Sequence, residues 1–154
     1  MAPASNFLVL STGMKSHQID YIQAYTQAHV DCEIYMHIPA QFIVQNNALV
    51  FSTNPTPGNS DVYVLLISKN LYGLCQAGNN WFDKLHGNLL SCGFCQSSID
   101  PCLFIQKDII LIIYVDNCLF VAKGDASLES FVASLQSEFN LICTGEVGAF
   151  WASS

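Results

Sequence analysis

Two aspartates carry the most informative chemistry in this chain. Asp116 stands in Tyr114-Val115-Asp116-Asn117, between the apolar runs Ile109–Val115 and Cys118–Ala122. A carboxylate at the tip of a rigid hairpin can hold a hard cation such as Mg²⁺, which takes oxygen ligands and keeps several waters. The same four residues also read as an ordinary turn, because Asp and Asn tolerate positive φ. A single carboxylate is a weak cation site and needs a companion on a neighbouring strand. Asp20, within Gln18-Ile19-Asp20-Tyr21-Ile22, is the candidate. Its other reading is an exposed residue at the end of a strand. Only tertiary structure could bring two residues so far apart in the chain together.

The elements that must position them follow from periodicity. His17–Ile22 reads as a short strand, and Phe7–Lys15 before it as the tail of a helix. Glu33–Met36 and Phe42–Val44 read as short extended pieces, and Val62–Ile67 as a β-rich apolar run. Between them, Asn46–Asp61 reads as a loop, on the strength of Asn54-Pro55-Thr56-Pro57-Gly58-Asn59-Ser60. Leu74, Ala77, Trp81, Leu85 and Leu89 recur at three or four residues, which marks one face of a helix that Gly93 stops. Trp81 reads as a core anchor. Cys102–Gln106, Ile109–Val115 and Cys118–Ala122 read as strands joined by Lys107-Asp108 and Asp116-Asn117. A second helix opens at Gly124-Asp125, with Asp125 as N-cap and Leu128, Val132, Leu135 and Phe139 on one face. Leu141–Cys143 reads as a last strand. This order predicts the α+β class, an antiparallel sheet with helices packed on one face, close to the split βαβ arrangement.

Composition bounds the function. The 154 residues suit one domain. They are 51% hydrophobic and 11% charged, against about 25% charged in a typical soluble domain, which excludes disorder for most of the chain. The net charge of −7 argues against a free-standing nucleic-acid binder, because neutralising phosphates supplies most of such affinity. Met1–Ser11 holds no basic residue, and no apolar run approaches the roughly 20 residues of a membrane span. The expectation is an intracellular protein, cytoplasmic or nuclear, neither secreted nor transmembrane. Seven cysteines are an odd number and imply no disulfide framework. The Cys92–Cys95 pair lacks the second ligand pair of a zinc site, so free thiols are expected.

Taken together, several segments resemble the reverse transcriptase domain of copia-type retrotransposons. They are Gln18-Ile19-Asp20 with Ala24-Tyr25; Tyr35-Met36 with Pro39 and Phe42; Leu71-Tyr72-Gly73-Leu74 with Gln76-Ala77 and Trp81; Leu89-Leu90 with Gly93-Phe94; Asp100-Pro101-Cys102-Leu103-Phe104-Ile105; Tyr114-Val115-Asp116; and Gly145-Glu146. The resemblance implies an RNA-directed DNA polymerase palm. Residues 17–146 would form it, 1–16 would be a remnant of the upstream fingers, 46–61 a loop, and 147–154 a truncated tail. It also implies that Asp20 and Asp116 hold Mg²⁺ for two-metal nucleotidyl transfer. Tyr25 would lie against the nucleotide sugar, and Gln76 would lead into the helix beneath the nucleotide. Template-primer and dNTP are the implied partners.

Departures from the family pattern set the expected activity. Asn117 stands where the family tip, Tyr-x-Asp-Asp, has its second acid, and a neutral amide cannot replace a carboxylate beside two divalent ions. Ile22, Leu66, Cys75 and Asn80 stand where the family usually has basic residues, and Val44–Val62 matches poorly. The expectation is therefore a reverse transcriptase fragment that is inactive or severely impaired, with fingers largely missing and thumb absent. The alternative is a non-catalytic protein-interaction module that keeps the palm fold and whose partner covers its exposed apolar surface.

Overall fold

The computed structural model describes residues 14–39, 42–45, 48–51 and 64–146. The expected helical tail over residues 7–13 and the tail over 147–154 lie outside them. The described chain is α+β. Its main sheet has six strands: β1 (Lys15–Tyr21), β6 (Cys95–Gln96), β7 (Leu103–Gln106), β8 (Ile109–Tyr114), β9 (Asn117–Ala122) and β10 (Leu141–Glu146). Their order is β10-β1-β9-β8-β7-β6, and every neighbouring pair is antiparallel. Helix α2 (Ala77–Ser91) falls between β1 and β8 in the chain, and α3 (Asp125–Glu138) between β9 and β10.

Alternation explains why this sheet has one covered face. Side chains two apart on a strand share a face. Ile109, Leu111 and Ile113 of β8, Cys118 and Phe120 of β9, and Ile19 and Tyr21 of β1 are buried in one cluster. The helices close over that cluster with Trp81, Leu85 and Leu89 of α2 and Leu128, Phe131 and Leu135 of α3. Burying each such side chain is worth about 1.5–3 kcal/mol. The other face carries Gln18 and Asp20, Asn117 and Leu119, and Ile112 and Tyr114, none of them buried.

Two smaller ribbons complete the described chain. β2 (His29–His37) pairs with β5 (Val64–Lys69), and β3 (Phe42–Gln45) with β4 (Ala48–Phe51), both antiparallel. Asn70 locks the first ribbon to the body. It is fully buried, its Nδ2 donates to the carbonyls of Ala28 (3.3 Å) and His29 (2.9 Å), and its Oδ1 accepts from Asn80 Nδ2 at 3.2 Å.

The expected helix stop is present in full. After the cap residue Cys92, Gly93 adopts φ +89°, its N–H donates to Leu90 O, and Phe94 N–H donates to Leu89 O. Those are the two hydrogen bonds of a Schellman motif, and buried Phe94 and Leu89 both belong to the core cluster.

Five expectations change. β4 lies inside the segment expected to be a loop, because Ala48-Leu49-Val50-Phe51 is apolar and pairs with β3. Leu74 precedes α2 instead of starting its face, with the helix beginning at Ala77. Gly124, in extended conformation, is the N-cap of α3, and Asp125 is its first residue. The hairpin turn is Val115-Asp116, one residue earlier than expected, so Asn117 opens β9. Lys15 starts β1, and Ile22 falls in the turn after it. Strand β6 and the single-turn helix α1 (Ala24–Gln27) carry no periodic signal long enough to read.

All seven cysteines are free thiols. Among the described residues no helix is long and apolar enough to cross a membrane.

Candidate active site

Pairing between β1 and β9 joins the two ends of the chain's chemistry. Asp20 lies directly opposite Asn117, and Tyr21 N–H donates to Asp116 O at 3.0 Å. That bond makes Asp20 and Asn117 a non-hydrogen-bonded pair, in which Cα atoms approach to about 4.5 Å and side chains are closest. Gln18 sits two residues before Asp20 on the same face, and its Nε2 donates to Asn117 Oδ1 at 3.1 Å. Asn117 Nδ2 in turn donates to Asp116 Oδ1 at 3.1 Å. The amide is thus fixed between two partners, and the Asp116 carboxylate is drawn towards the open face. Among the described residues the Asp20 carboxylate has no hydrogen bond or ion pair, and Asp116 has only the neutral amide.

The floor beneath this rim is rigid and uncharged. Trp81 Nε1 donates to Val115 O at 3.0 Å, which ties the turn to α2. The Trp81 ring meets Tyr21 edge-on at 5.0 Å and Phe139 at 5.6 Å. Burial pushes the Cys118 thiol up to about 12. It also holds the Tyr21 phenol well above its ordinary range, with the Cys118 thiol as the second cause. Both groups stay neutral at physiological pH, so the two aspartates are the charges the rim presents.

The turn itself is strained. Val115 has φ +57°, and Asp116 is not among the residues with positive φ. Positive φ at the first central residue alone is the sign pattern of a type II′ turn, which favours glycine there. A β-branched residue in that region is a true outlier, costing about 1–3 kcal/mol. Val115→Gly is therefore expected to raise stability by about 1 kcal/mol, the relieved strain exceeding the added entropy of the unfolded chain. Thermal unfolding checks this, and an unchanged or lower melting temperature would show that the turn is relaxed.

Tyr25 and Gln76 form a second group around the start of α2. Tyr25 packs partly against the core, and its ring lies 4.7 Å from that of Tyr72, tilted by 31°. A Cβ at Gly78 would stand 3.6 Å from Tyr25 Oη, an ordinary van der Waals contact, so the ring packs beside the first turn of α2. Gln76 is the N-cap residue of α2, and its Nε2 reaches Cys32 Sγ at 3.6 Å on β2. Neither side chain hydrogen-bonds to Asp20, Asp116 or Asn117. Asn80 makes a further link across this region, donating to Asp31 Oδ1 at 3.2 Å and holding that carboxyl below its usual range.

Sequence reasoning missed three participants. Gln18 anchors Asn117, and its spacing of two from Asp20 was the available signal. Tyr72 packs its ring against that of Tyr25. Trp81 holds the turn through its N–H as well as filling the core.

The family model described as reverse transcriptase (RNA-dependent DNA polymerase) matches residues 7–152. The chain belongs to the copia-type reverse transcriptases. It is 27% identical over 139 residues to the retrovirus-related Pol polyprotein from transposon TNT 1-94 of Nicotiana tabacum, covering 87% of this chain and 10% of that protein. It is 28% identical over 128 residues to the Pol polyprotein from transposon RE1 of Arabidopsis thaliana, covering 80% of this chain and 8% of the relative. Against the transposon Ty1-GR3 Gag-Pol polyprotein of Saccharomyces cerevisiae the figures are 25% over 134 residues, 86% and 7%. This reverse transcriptase chain thus spans a tenth or less of the length of these relatives. No solved structure matches it.

Proposed function

We propose that this chain is the palm-like part of a copia-type reverse transcriptase, with a weakened metal site at Asp20 and Asp116. The register that sets Asp20 opposite Asn117, with Asp116 next in the turn, is the observation that carries this reading. The strand order supports it as well. β8 and β1 run parallel with β9 between them, which is the split βαβ arrangement of such a palm.

The residues present suit Mg²⁺. That ion is usually held by one or two carboxylates together with waters and substrate phosphates. Asp20 offers a carboxylate with no partner among the described residues, and Asp116 offers the oxygen that Asn117 does not occupy. When bound, Mg²⁺ would supply charge stabilisation for the attacking and leaving oxygens of phosphoryl transfer. The chain's own residues hold the carboxylates in register, keep the floor beneath them dry, and place Tyr25 and Tyr72 as a ring pair that a nucleotide sugar could meet. The amide of Asn117 lowers activity twice over, by leaving out one negative charge and by donating to Asp116, which partly neutralises it. Template-primer and dNTP are the partners this reading assigns.

The test joins metal binding to activity. Titration with Mg²⁺, followed by NMR, is expected to shift residues 20, 116 and 117, and Asp20→Ala is expected to abolish those shifts. Primer extension on an RNA template is expected to be absent or severely reduced. Robust incorporation that Asp20→Ala abolishes would overturn the impairment, and unmoved resonances at 20 and 116 in millimolar Mg²⁺ would overturn the metal site.

The alternative of a non-catalytic interaction module rests on a specific surface. Ile105, Ile112 and Ile142 on the open face are 45%, 39% and 51% exposed, more apolar area than a solvent-facing sheet needs. That reading requires no metal at the rim, so the same titration separates the two.

A further inference from the structure

We infer that Lys69 and Lys84, with His29 orienting the Lys69 ammonium, form a binding site for a phosphate-sized anion, separate from the aspartate rim. The chain has only five lysines and arginines together. Two of them converge from different elements on one carbonyl: Lys69 Nζ of β5 donates to Gln27 O at 3.3 Å, and Lys84 Nζ of α2 donates to the same oxygen at 2.9 Å. Because they share that oxygen, the two ammonium nitrogens stand no more than the sum of those distances apart, close enough for one phosphate to bridge.

Among the described residues no opposite charge pairs with them: no carboxylate forms an ion pair with either lysine. Glu138, at the end of α3, acts on Lys84 only at a distance. Desolvation first, and then the charge of Lys69, hold the Lys84 ammonium below its usual range, with Glu138 opposing. A pair of cations left this way is relieved by an anion.

The donors are also incomplete. Lys69 Nζ has a second bond, to His29 Nε2 at 3.1 Å. His29 Nδ1 faces Ser68 O at 3.1 Å, and a carbonyl only accepts, so Nδ1 carries the hydrogen and Nε2 accepts from Lys69. Each ammonium has three N–H bonds. Lys69 uses two and Lys84 uses one, which leaves three without a partner among the described residues. Phosphate oxygens are the acceptors that match several converging charged donors. The underlying wall is fixed: Gln27 Nε2 donates to Ile22 O and Asn140 O, its Oε1 accepts from Asn140 N–H, and Lys84 lies over the Phe139 ring at 5.1 Å. The site therefore exists before any anion arrives.

The test is titration of the intact chain with inorganic phosphate at constant ionic strength, read by NMR at His29, Lys69 and Lys84. A saturable shift at all three residues is expected. Lys69→Gln removes one charge-assisted bond and is expected to weaken phosphate affinity about tenfold or more. His29→Asp places a carboxylate beside Lys69 on an exposed position of the ribbon. It is expected to keep the melting transition and to abolish the phosphate shifts, so the proposal does not depend on how a lysine variant folds. No saturable shift, or the same titration in His29→Asp as in the parent, overturns the site. A short oligothymidylate without terminal phosphate separates two sources of the group. Competition with phosphate at these residues assigns a nucleic-acid phosphodiester, and absence of competition assigns a free phosphate or monoester. Either result upholds the anion site.

Discussion

Trp81→Ala is expected to lower the melting temperature by about 6–20 °C, the largest single loss available in the described core. Removing a buried Trp side chain costs about 3–5 kcal/mol through lost transfer energy and the cavity it leaves. In a domain of this size each kcal/mol moves the midpoint by about 2–4 °C. The geometry puts Trp81 at the high end of that range. The ring is 2% exposed and stands edge-on to both Tyr21 and Phe139, so the strand that carries Asp20 and the residue that follows α3 both lose their shared neighbour. Its Nε1 also holds Val115 O, a bond that keeps a strained turn in place. Hydrogen exchange gives the local readout. Tyr21 N–H, bonded to Asp116 O, should exchange faster in Trp81→Ala by more than the global destabilisation accounts for. Trp81→Phe keeps most of the ring and is expected to lose only about 0.5–1.5 kcal/mol, the worth of one hydrogen bond. A Trp81→Ala protein within about 1 kcal/mol of the parent would mean that the helix does not support the hairpin.

The same contrast, between what a pattern fixes and what only contact fixes, governs how far the sequence could be read. The apolar character of Ile109–Tyr114 and Asn117–Ala122 marked two strands correctly but not their buried face, because residues on both faces are apolar and only the packing of the helices covers one of them. It could not choose between turns at Val115-Asp116 and Asp116-Asn117. Moving the turn by one residue shifts the pairing by two, which leaves every side chain on the same face. The β1 pairing of Asn117 and the Trp81 bond to Val115 decide that choice, and both are tertiary. The Asn54–Ser60 cluster spread a loop assignment over residues 48–51, whose own apolar character pointed to a strand. At the site, the residue types of Asp20, Asp116 and Asn117 were legible. The direction of the Asn117 amide was not, because it depends on Gln18 reaching across from the next strand. The convergence of Lys69 and Lys84 was equally hidden, since the carbonyl they share belongs to a one-turn helix that leaves no periodic mark.

Asn117→Asp should change stability in opposite directions with and without metal. Asn117 now donates to Asp116 and accepts from Gln18. An aspartate keeps the bond from Gln18 but turns the contact with Asp116 into two facing carboxylates, with Asp20 across the strand pair. Two like charges about 4 Å apart repel by roughly 4 kcal/mol at an effective dielectric of 20, and this open rim lets solvent and side-chain rotation remove much of that. In the presence of a chelator the variant is therefore expected to be about 1–2 kcal/mol less stable than the parent, a fall of about 2–8 °C. The same repulsion is what a divalent cation relieves. A ligand at about a hundred times its Kd stabilises by about 2.7 kcal/mol, so Mg²⁺ should more than restore the loss in Asn117→Asp while moving the parent less. Calorimetric titration should show tighter Mg²⁺ binding in the variant, and Asp20→Ala introduced beside it should cancel the gain. Equal Mg²⁺ responses in parent and variant would mean that the three side chains do not share an ion, and the polymerase reading of the rim would lose its physical basis. A larger response that survives Asp20→Ala would assign the ion to Asp116 and residue 117 alone, leaving Asp20 a bystander across the strand pair.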